Sequence, residues 1–289
     1  MTETASLSGK MPDPRIHPYR PDLAAAHLRG QVSATRFVEG VPCQIRAGFA
    51  ALNEGPSIEA RQAGQLLFGE VFTVYEEQDG WAWGQNGTDG YVGWLRLEML
   101  DSDIYPATHR VTALRTYLFP EPDLKTPPVD LLSFGAQILA IEEKGDWIEA
   151  ATGGWLYRKH LATAEAPWLD PVETALRFAG TPYLWGGRTS LGLDCSALVQ
   201  LALAGAGFPC PRDSDQQAAG IGELVSDTGE GHAFQRGDLV FFPGHVGIMA
   251  DARDLVHANA FHMQVVREPL AEVIARAGNK GINAVRRIV

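Results

Sequence analysis

The sequence predicts an α+β domain preceded by two small β-barrels, and three features predict it. The first is an internal repeat. Leu66-Leu67-Phe68-Gly69, Glu76-Glu77-Gln78-Asp79-Gly80-Trp81 and Gly93-Trp94-Leu95 return as Leu131-Leu132-Ser133-Phe134-Gly135, Glu142-Glu143-Lys144-Gly145-Asp146-Trp147 and Gly154-Trp155-Leu156. In both copies the first Trp follows the Gly by 12 residues. The second feature is texture: each copy alternates apolar and polar residues in short runs divided by Gly/Asp turns, the pattern of small barrels. The third is the order of elements after residue 165, where two helix-like segments precede strand-like runs bearing His245 and His257.

Taken in order, residues 1–30 read as an extended arm and a short helix over Pro21-Asp22-Leu23-Ala24-Ala25-Ala26-His27-Leu28-Arg29, stopped by Gly30. Residues 31–104 and 105–164 are the two barrels. The copies differ usefully: Glu70 follows Gly69 where Ala136 follows Gly135, and Tyr91 precedes Trp94 where Thr152 precedes Trp155. A barrel core therefore needs neither Glu70 nor Tyr91; packing alone would leave an exposed Glu and a half-buried Tyr. The Glu pairs at 76–77 and 142–143 read as solvated turns. A linker over 162–167 leads into the α+β domain, residues 165–289. There Asp170-Pro171 supplies an N-cap and a first-turn proline, Gly180 closes that helix, and a second helix runs from Cys195 to near Gly205.

Composition narrows the function. A formal net charge of −11 argues against nucleic acid or an anionic membrane as the main partner. Cys43, Cys195 and Cys210, at unrelated spacings, form neither a disulfide framework nor a metal knuckle, which suits a reducing compartment. The first ten residues lack the apolar run of a secretory signal, and no stretch is apolar enough to span a bilayer, so the expected location is cytoplasmic. No cofactor, metal or obligate protein partner is expected.

The chemistry centres on Cys195, in Leu193-Asp194-Cys195-Ser196-Ala197, where a loop enters an apolar helix. Unpaired N–H groups and the positive end of the helix dipole favour thiolate there. His245 lies in Gly244-His245-Val246-Gly247-Ile248 and His257 in Leu255-Val256-His257-Ala258. A hairpin turning at the polar break around Asp251 sets the two imidazoles opposite each other on one face, their Cβ atoms roughly 4.5–5.5 Å apart. One histidine can then orient the other, as a third catalytic group must. If that sheet packs on the Cys195 helix, the thiol meets His245.

Six ordered blocks give residues 170–289 a resemblance to the NlpC-type cell-wall peptidases, which have a stripped-down papain-like fold. They are Pro182-Tyr183-Leu184-Trp185-Gly186-Gly187, Asp194-Cys195-Ser196, Arg212-Asp213-Ser214, Gly237-Asp238-Leu239-Val240-Phe241-Phe242, Gly244-His245-Val246-Gly247-Ile248 and the strand bearing His257. The repeat resembles bacterial SH3-type modules. The resemblance implies Cys195 as nucleophile, His245 as base and His257 as orienting residue, with Tyr183 lining an oxyanion site beside the Cys195 N–H. The full arrangement resembles the γ-D-glutamyl-L-diamino-acid endopeptidases, which release L-Ala-γ-D-Glu from murein stem peptides with a free N-terminal alanine. In that group a Glu and a Tyr of the first SH3-type module meet the substrate amine, roles that fall to Glu70 and Tyr91. Asp194 and Ser196 would contact the same amine, and Trp185 and Ser214 would line the cleft. A buried ammonium needs such partners, so a pocket of this kind demands a free amine. Substrate ammonium would also relieve the opposition of Asp194 to Cys195 ionisation.

Three alternatives stay open on the residues: a zinc hydrolase ligated by Cys195, His245 and His257, a thiol acyltransferase or amidase on the same fold, and a non-catalytic cell-wall binding protein.

Overall fold

The computed structural model describes residues 11–163, 166 and 169–288. Residues 1–10 of the expected arm and Ala164, Glu165 and Pro167 of the expected linker lie outside the described residues. The chain divides into two compact units, one ending at Tyr105 and the other beginning at Pro106.

The first unit is built on a seven-stranded antiparallel sheet. Its order is Gln62–Leu67, Phe49–Asn53, Val92–Arg96, Trp81–Asn86, Val71–Gln78, Val41–Ile45 and Leu100–Asp101. Alternate side chains of these strands, Ile45, Leu52, Leu66, Phe72 and Leu95 among them, fill one core together with Tyr91. The helix expected over residues 21–29 does not form. Leu23–Ala25 is instead a strand paired in parallel with Arg36–Val38, followed by a single 3-10 turn, Ala26–Leu28. Leu23 packs on Trp81, Trp83 and Trp94, and this contact overrides the helix propensity of three alanines. Arg20 lies 4.3 Å from the Trp83 ring centre and pairs with Glu76, as does Arg36. Glu76 is thus a strand residue that holds the arm, not part of a solvated turn.

The second unit opens with strands that repeat those of the first. The Gly69 N–H donates to the Ile45 carbonyl and the Gly135 N–H to the Val111 carbonyl, each at 2.9 Å. One residue on, the N–H groups of Glu70 and Ala136 donate to the Leu67 and Ser133 carbonyls, both at 3.1 Å. Asn53 bridges Trp94 as Phe119 bridges Trp155. Both glycines sit at positive φ, 83° and 90°, which explains why the repeat keeps Gly at this bend.

The rest of this unit is α+β. α1 (Pro171–Arg177) starts on Asp170, whose side chain accepts the Glu173 N–H. α2 (Cys195–Gly205) is buried on almost every side, as its near-continuous apolar sequence requires. α3 (Ser214–Gly220) and α4 (Leu270–Ala277) complete the helices. The six-stranded sheet runs in the order Glu223–Ser226, Ala284–Arg287, Leu239–Phe242, His245–Met249, Asp254–Asn259, Gln264–Pro269, antiparallel throughout. α2 packs against the His245–Met249 and Asp254–Asn259 strands. Leu270 and Val273 of α4 cover Val240, Phe242, Met249 and Leu255. Among the described residues, no helix is long and apolar enough to cross a membrane.

Candidate active site

Cys195 is the first residue of α2, and Asp194 is its N-cap. The Asp194 carboxylate accepts the Ala197 N–H at 2.9 Å and the Ser196 hydroxyl at 3.1 Å. Its other oxygen accepts the Gly186 N–H at 2.9 Å, tying the Tyr183–Gly187 segment to the start of the helix. That approach needs Gly187, because a Cβ there would lie 2.5 Å from the Gly192 carbonyl oxygen. Arg212 then clamps Asp194 with two parallel bonds, 3.0 and 2.6 Å, and also donates to the Ser196 hydroxyl at 2.9 Å. Arg212 is 2% exposed, so this is a buried ion pair. The Asp194 carboxylate, expected from the sequence to meet a substrate amine, is thus already engaged by Arg212.

This geometry opposes the thiolate that the helix start favours. Burial, with the nearby Asp194 charge, pushes the Cys195 thiol up to about 12. Hydrogen bonds from the backbone N–H groups of Val246 and Ser196, and the charge of Arg212, pull the other way without prevailing. The cation that offsets Asp194 is built into the chain as Arg212, so it need not come from a substrate.

His245 opens its strand immediately before Val246. The expected register is also corrected. Ile248 faces Val256 and Met249 faces Leu255, so the hairpin turns one residue later than Asp251 and sets His257 diagonal to His245 instead of opposite. Slipping by two positions keeps both side chains on one face, and diagonal neighbours remain within reach of long rings. The turn is fixed by Asp251, whose side chain accepts the N–H groups of Arg253 and Asp254. Gly247 lies between the rings and the turn; a Cβ there would meet Leu255 at 2.7 Å.

His245 Nε2 lies 2.7 Å from His257 Nδ1, and His257 Nε2 lies 2.7 Å from Glu268 Oε1. Glu268, 8% exposed, also receives Arg276 through both carboxylate oxygens. Asn259 Nδ2 lies 3.0 Å from His257 Nε2, and His262 Nε2 lies 3.4 Å from Glu268 Oε2. Burial would raise the Glu268 carboxyl, but bonds from Arg276 and His257 hold it at about 2. An ionised Glu268 accepts, so His257 carries its proton on Nε2 and offers the Nδ1 lone pair. His245 must then donate from Nε2, which leaves its Nδ1 as the basic nitrogen. Burial, then the neighbouring His257 and Arg276, push His245 down to about 3. Both shifts favour the neutral thiol and the neutral imidazole at rest.

The other expected residues are spread over both units. Tyr183 is half-buried; burial and then the Cys195 and Asp194 charges push its phenol up to about 12, keeping it an O–H donor. Trp185 is 69% exposed, and Ser214 begins α3. Glu70 and Tyr91 belong to the first unit. Glu70 is 2% exposed, not the exposed Glu that packing alone suggested, and accepts the Leu67 N–H at 2.8 Å; Tyr91 is in the barrel core. Sequence reasoning missed Glu268, Arg276 and the role of Arg212. For Glu268 the usable signal is an acid three residues after Val265 on the strand that follows the His257 strand. Among the described residues, no group of three or more His, Cys, Asp or Glu is disposed to hold a metal ion.

Comparison with known proteins agrees with this site. Residues 180–277 match the NlpC/P60 family, and residues 52–100 match the bacterial dipeptidyl-peptidase Sh3 domain. The chain is 28% identical over 241 residues to dipeptidyl-peptidase 6 of Lysinibacillus sphaericus, covering 74% of this chain and 86% of that one. It is 28% identical over 250 residues to gamma-D-glutamyl-L-lysine dipeptidyl-peptidase of Bacillus subtilis (strain 168), covering 77% and 80%. Its fold superposes on an NlpC/P60 family protein from Bacillus cereus ATCC 10987 with a TM-score of 0.71 at 20% identity, covering 85% and 99%. With a cysteine at the head of a buried helix and a hydrogen-bonded histidine pair beside it, the chain is a cysteine peptidase with an NlpC/P60 family domain, preceded by a bacterial dipeptidyl-peptidase Sh3 domain.

Proposed function

We propose that this chain is a cysteine endopeptidase that hydrolyses the γ-D-glutamyl–diamino acid bond of murein stem peptides with a free N-terminal L-Ala, releasing L-Ala-γ-D-Glu. The observation that carries it is the hydrogen-bonded line His245–His257–Glu268 across three adjacent strands, the first two of which pack against the Cys195 helix. In the proposed mechanism His245 Nδ1 takes the thiol proton as sulfur attacks the γ-glutamyl carbonyl. The Cys195 N–H and the Tyr183 hydroxyl stabilise the oxyanion, and His245 then gives its proton to the leaving amine. Water, activated by the same nitrogen, hydrolyses the acyl-enzyme. His257 orients His245 throughout. The relatives' printed names support the bond class.

The finer assignments belong to the same proposal. The catalytic domain is papain-like, and residues 105–164 are a second SH3-type barrel, supported by the matched hydrogen bonds at Gly69 and Gly135. Glu70, Tyr91, Asp194 and Ser196 receive the substrate amine, while Trp185 and Ser214 line the cleft. The product suits cytoplasmic recycling of murein peptides. Cys195→Ala is expected to abolish cleavage of L-Ala-γ-D-Glu-diaminopimelate and a chelator to leave it intact; the reverse result would overturn the thiol mechanism.

A further inference from the structure

The two copies of the repeat match on their outer faces as well as at their bends. In each, a register shift precedes a glutamate, Glu76 in the first copy and Glu142 in the second. Trp81 pairs with Arg96 as Trp147 pairs with Tyr157, and Trp83 pairs with Trp94 as Glu149 pairs with Trp155. The first copy covers this face with its own chain. Leu23 packs on Trp81, Trp83 and Trp94, which are left only 6%, 3% and 7% exposed. Arg20 lies 4.3 Å from the Trp83 ring centre, and both Arg20 and Arg36 pair with Glu76.

The second copy leaves the equivalent face accessible. Tyr117 is 53% exposed, and Phe119, Trp147 and Tyr157 are half-buried. These four rings meet edge to face in turn, with centres 6.1, 5.3 and 6.3 Å apart. The outer face of a half-buried sheet ordinarily carries polar side chains, so a continuous aromatic row there points to a surface that a partner covers. Beside the row, Glu142 and Glu149 stand directly opposite each other, and like charges so placed repel. Among the described residues no cation pairs with either, whereas the neighbouring Glu143 has Arg158 at 3.9 Å. We infer that this face docks an extended segment of a partner protein that carries an arginine close to an apolar residue. The arginine sits by Glu142 and Glu149, and the apolar side chain lies on the Trp147 and Phe119 rings. Such a segment supplies the cation that the acid pair lacks, and it is the chemistry that the first copy already holds on the same face. The inference is independent of the peptidase reaction.

The probe is a fluorescein-labelled peptide of residues 18–26, Pro18-Tyr19-Arg20-Pro21-Asp22-Leu23-Ala24-Ala25-Ala26, titrated with the full chain and followed by fluorescence anisotropy. The first copy's face is already occupied by the chain itself, so binding reads the second. The native chain is expected to bind the peptide. Arg20→Glu in the peptide is expected to weaken binding about five-fold, and Glu142→Lys in the chain to weaken it by a similar factor. Glu142→Gln is expected to act in the same direction with a smaller effect. Glu142 is exposed, so these variants keep the fold, and kcat/KM on the stem peptide is expected to stay unchanged. No binding up to about 1 mM, or binding indifferent to both charge reversals, overturns the proposal. A dimer in sedimentation that Glu142→Lys dissolves, without peptide binding, gives the face to a second copy and overturns it too. Saturation by tri-N-acetylchitotriose in place of the peptide gives the face to glycan, with the same consequence.

Discussion

Glu268 Oε1 accepts the His257 Nε2 proton across 2.7 Å, and through His257 this bond decides which nitrogen of His245 is basic. Replacing Glu268 with Gln is expected to lower kcat about 10–100-fold with little change in KM, the usual scale for losing a group that orients a histidine. The Glu268 charge favours the protonated form of His245, so its loss also moves the acid limb of kcat/KM to lower pH. A variant that changes neither kcat nor the limb makes Glu268 a packing residue only.

Glu268 also links stability to pH. Its carboxyl is lowered from 4.5 to about 2 in the fold, so its contribution is complete above about pH 4.5 and is lost as pH falls toward about 2. Acid unfolding of the native protein is expected to show this component, and Glu268→Gln to lack it, when urea midpoints are followed from pH 5 to 2.

The resting thiol is expected to be protonated at neutral pH. With Cys195 near 12 and His245 near 3, alkylation by iodoacetamide has no thiolate plateau around neutrality, and the acid limb of kcat/KM lies well below the ordinary imidazole range. Absorbance of the thiolate at 240 nm against pH, with Cys195→Ala as blank, measures this directly. A thiolate inflection near pH 6 contradicts it.

Arg212 carries the Asp194 cap. Arg212→Met strands a buried carboxylate and is expected to destabilise the second unit by about 3–5 kcal/mol. Urea unfolding followed by fluorescence checks the loss; a change below about 1 kcal/mol means that the pair contributes little to stability.

Glu70→Ala installs the residue that the repeat already tolerates at Ala136, which is fully buried. The barrel is expected to stay folded, at a cost of about 1 kcal/mol for the lost bond to the Leu67 N–H. The preference for free over acetylated N-termini is expected to fall, measured as the ratio of the two cleavage rates.

Local chemistry made part of this architecture legible. Asp194 before an apolar run marks the start of α2, Asp170-Pro171 marks α1, and the Gly69 and Gly135 bends mark equivalent points of a repeated β-unit. The face shared by His245 and His257 follows from strand periodicity and survives the two-residue slip, because a slip of two returns each side chain to its face. What was not legible depends on distant partners. Leu23–Ala25 became a strand because Arg36–Val38 and three tryptophans receive it. Glu268 reaches His257 only through the pairing of neighbouring strands, and Arg212 reaches Asp194 from the segment before α3. Burial decided the thiol: a helix start favours thiolate, but a site closed to water opposes it more strongly.

The measurement closest to the centre of the proposal incubates L-Ala-γ-D-Glu-diaminopimelate and its N-acetylated twin with the native chain and with Cys195→Ala, and identifies products by mass spectrometry. Release of L-Ala-γ-D-Glu from the free peptide alone, abolished by Cys195→Ala, is the expected result. Equal cleavage of both peptides contradicts the free-amine requirement, and cleavage that persists in Cys195→Ala contradicts the thiol peptidase.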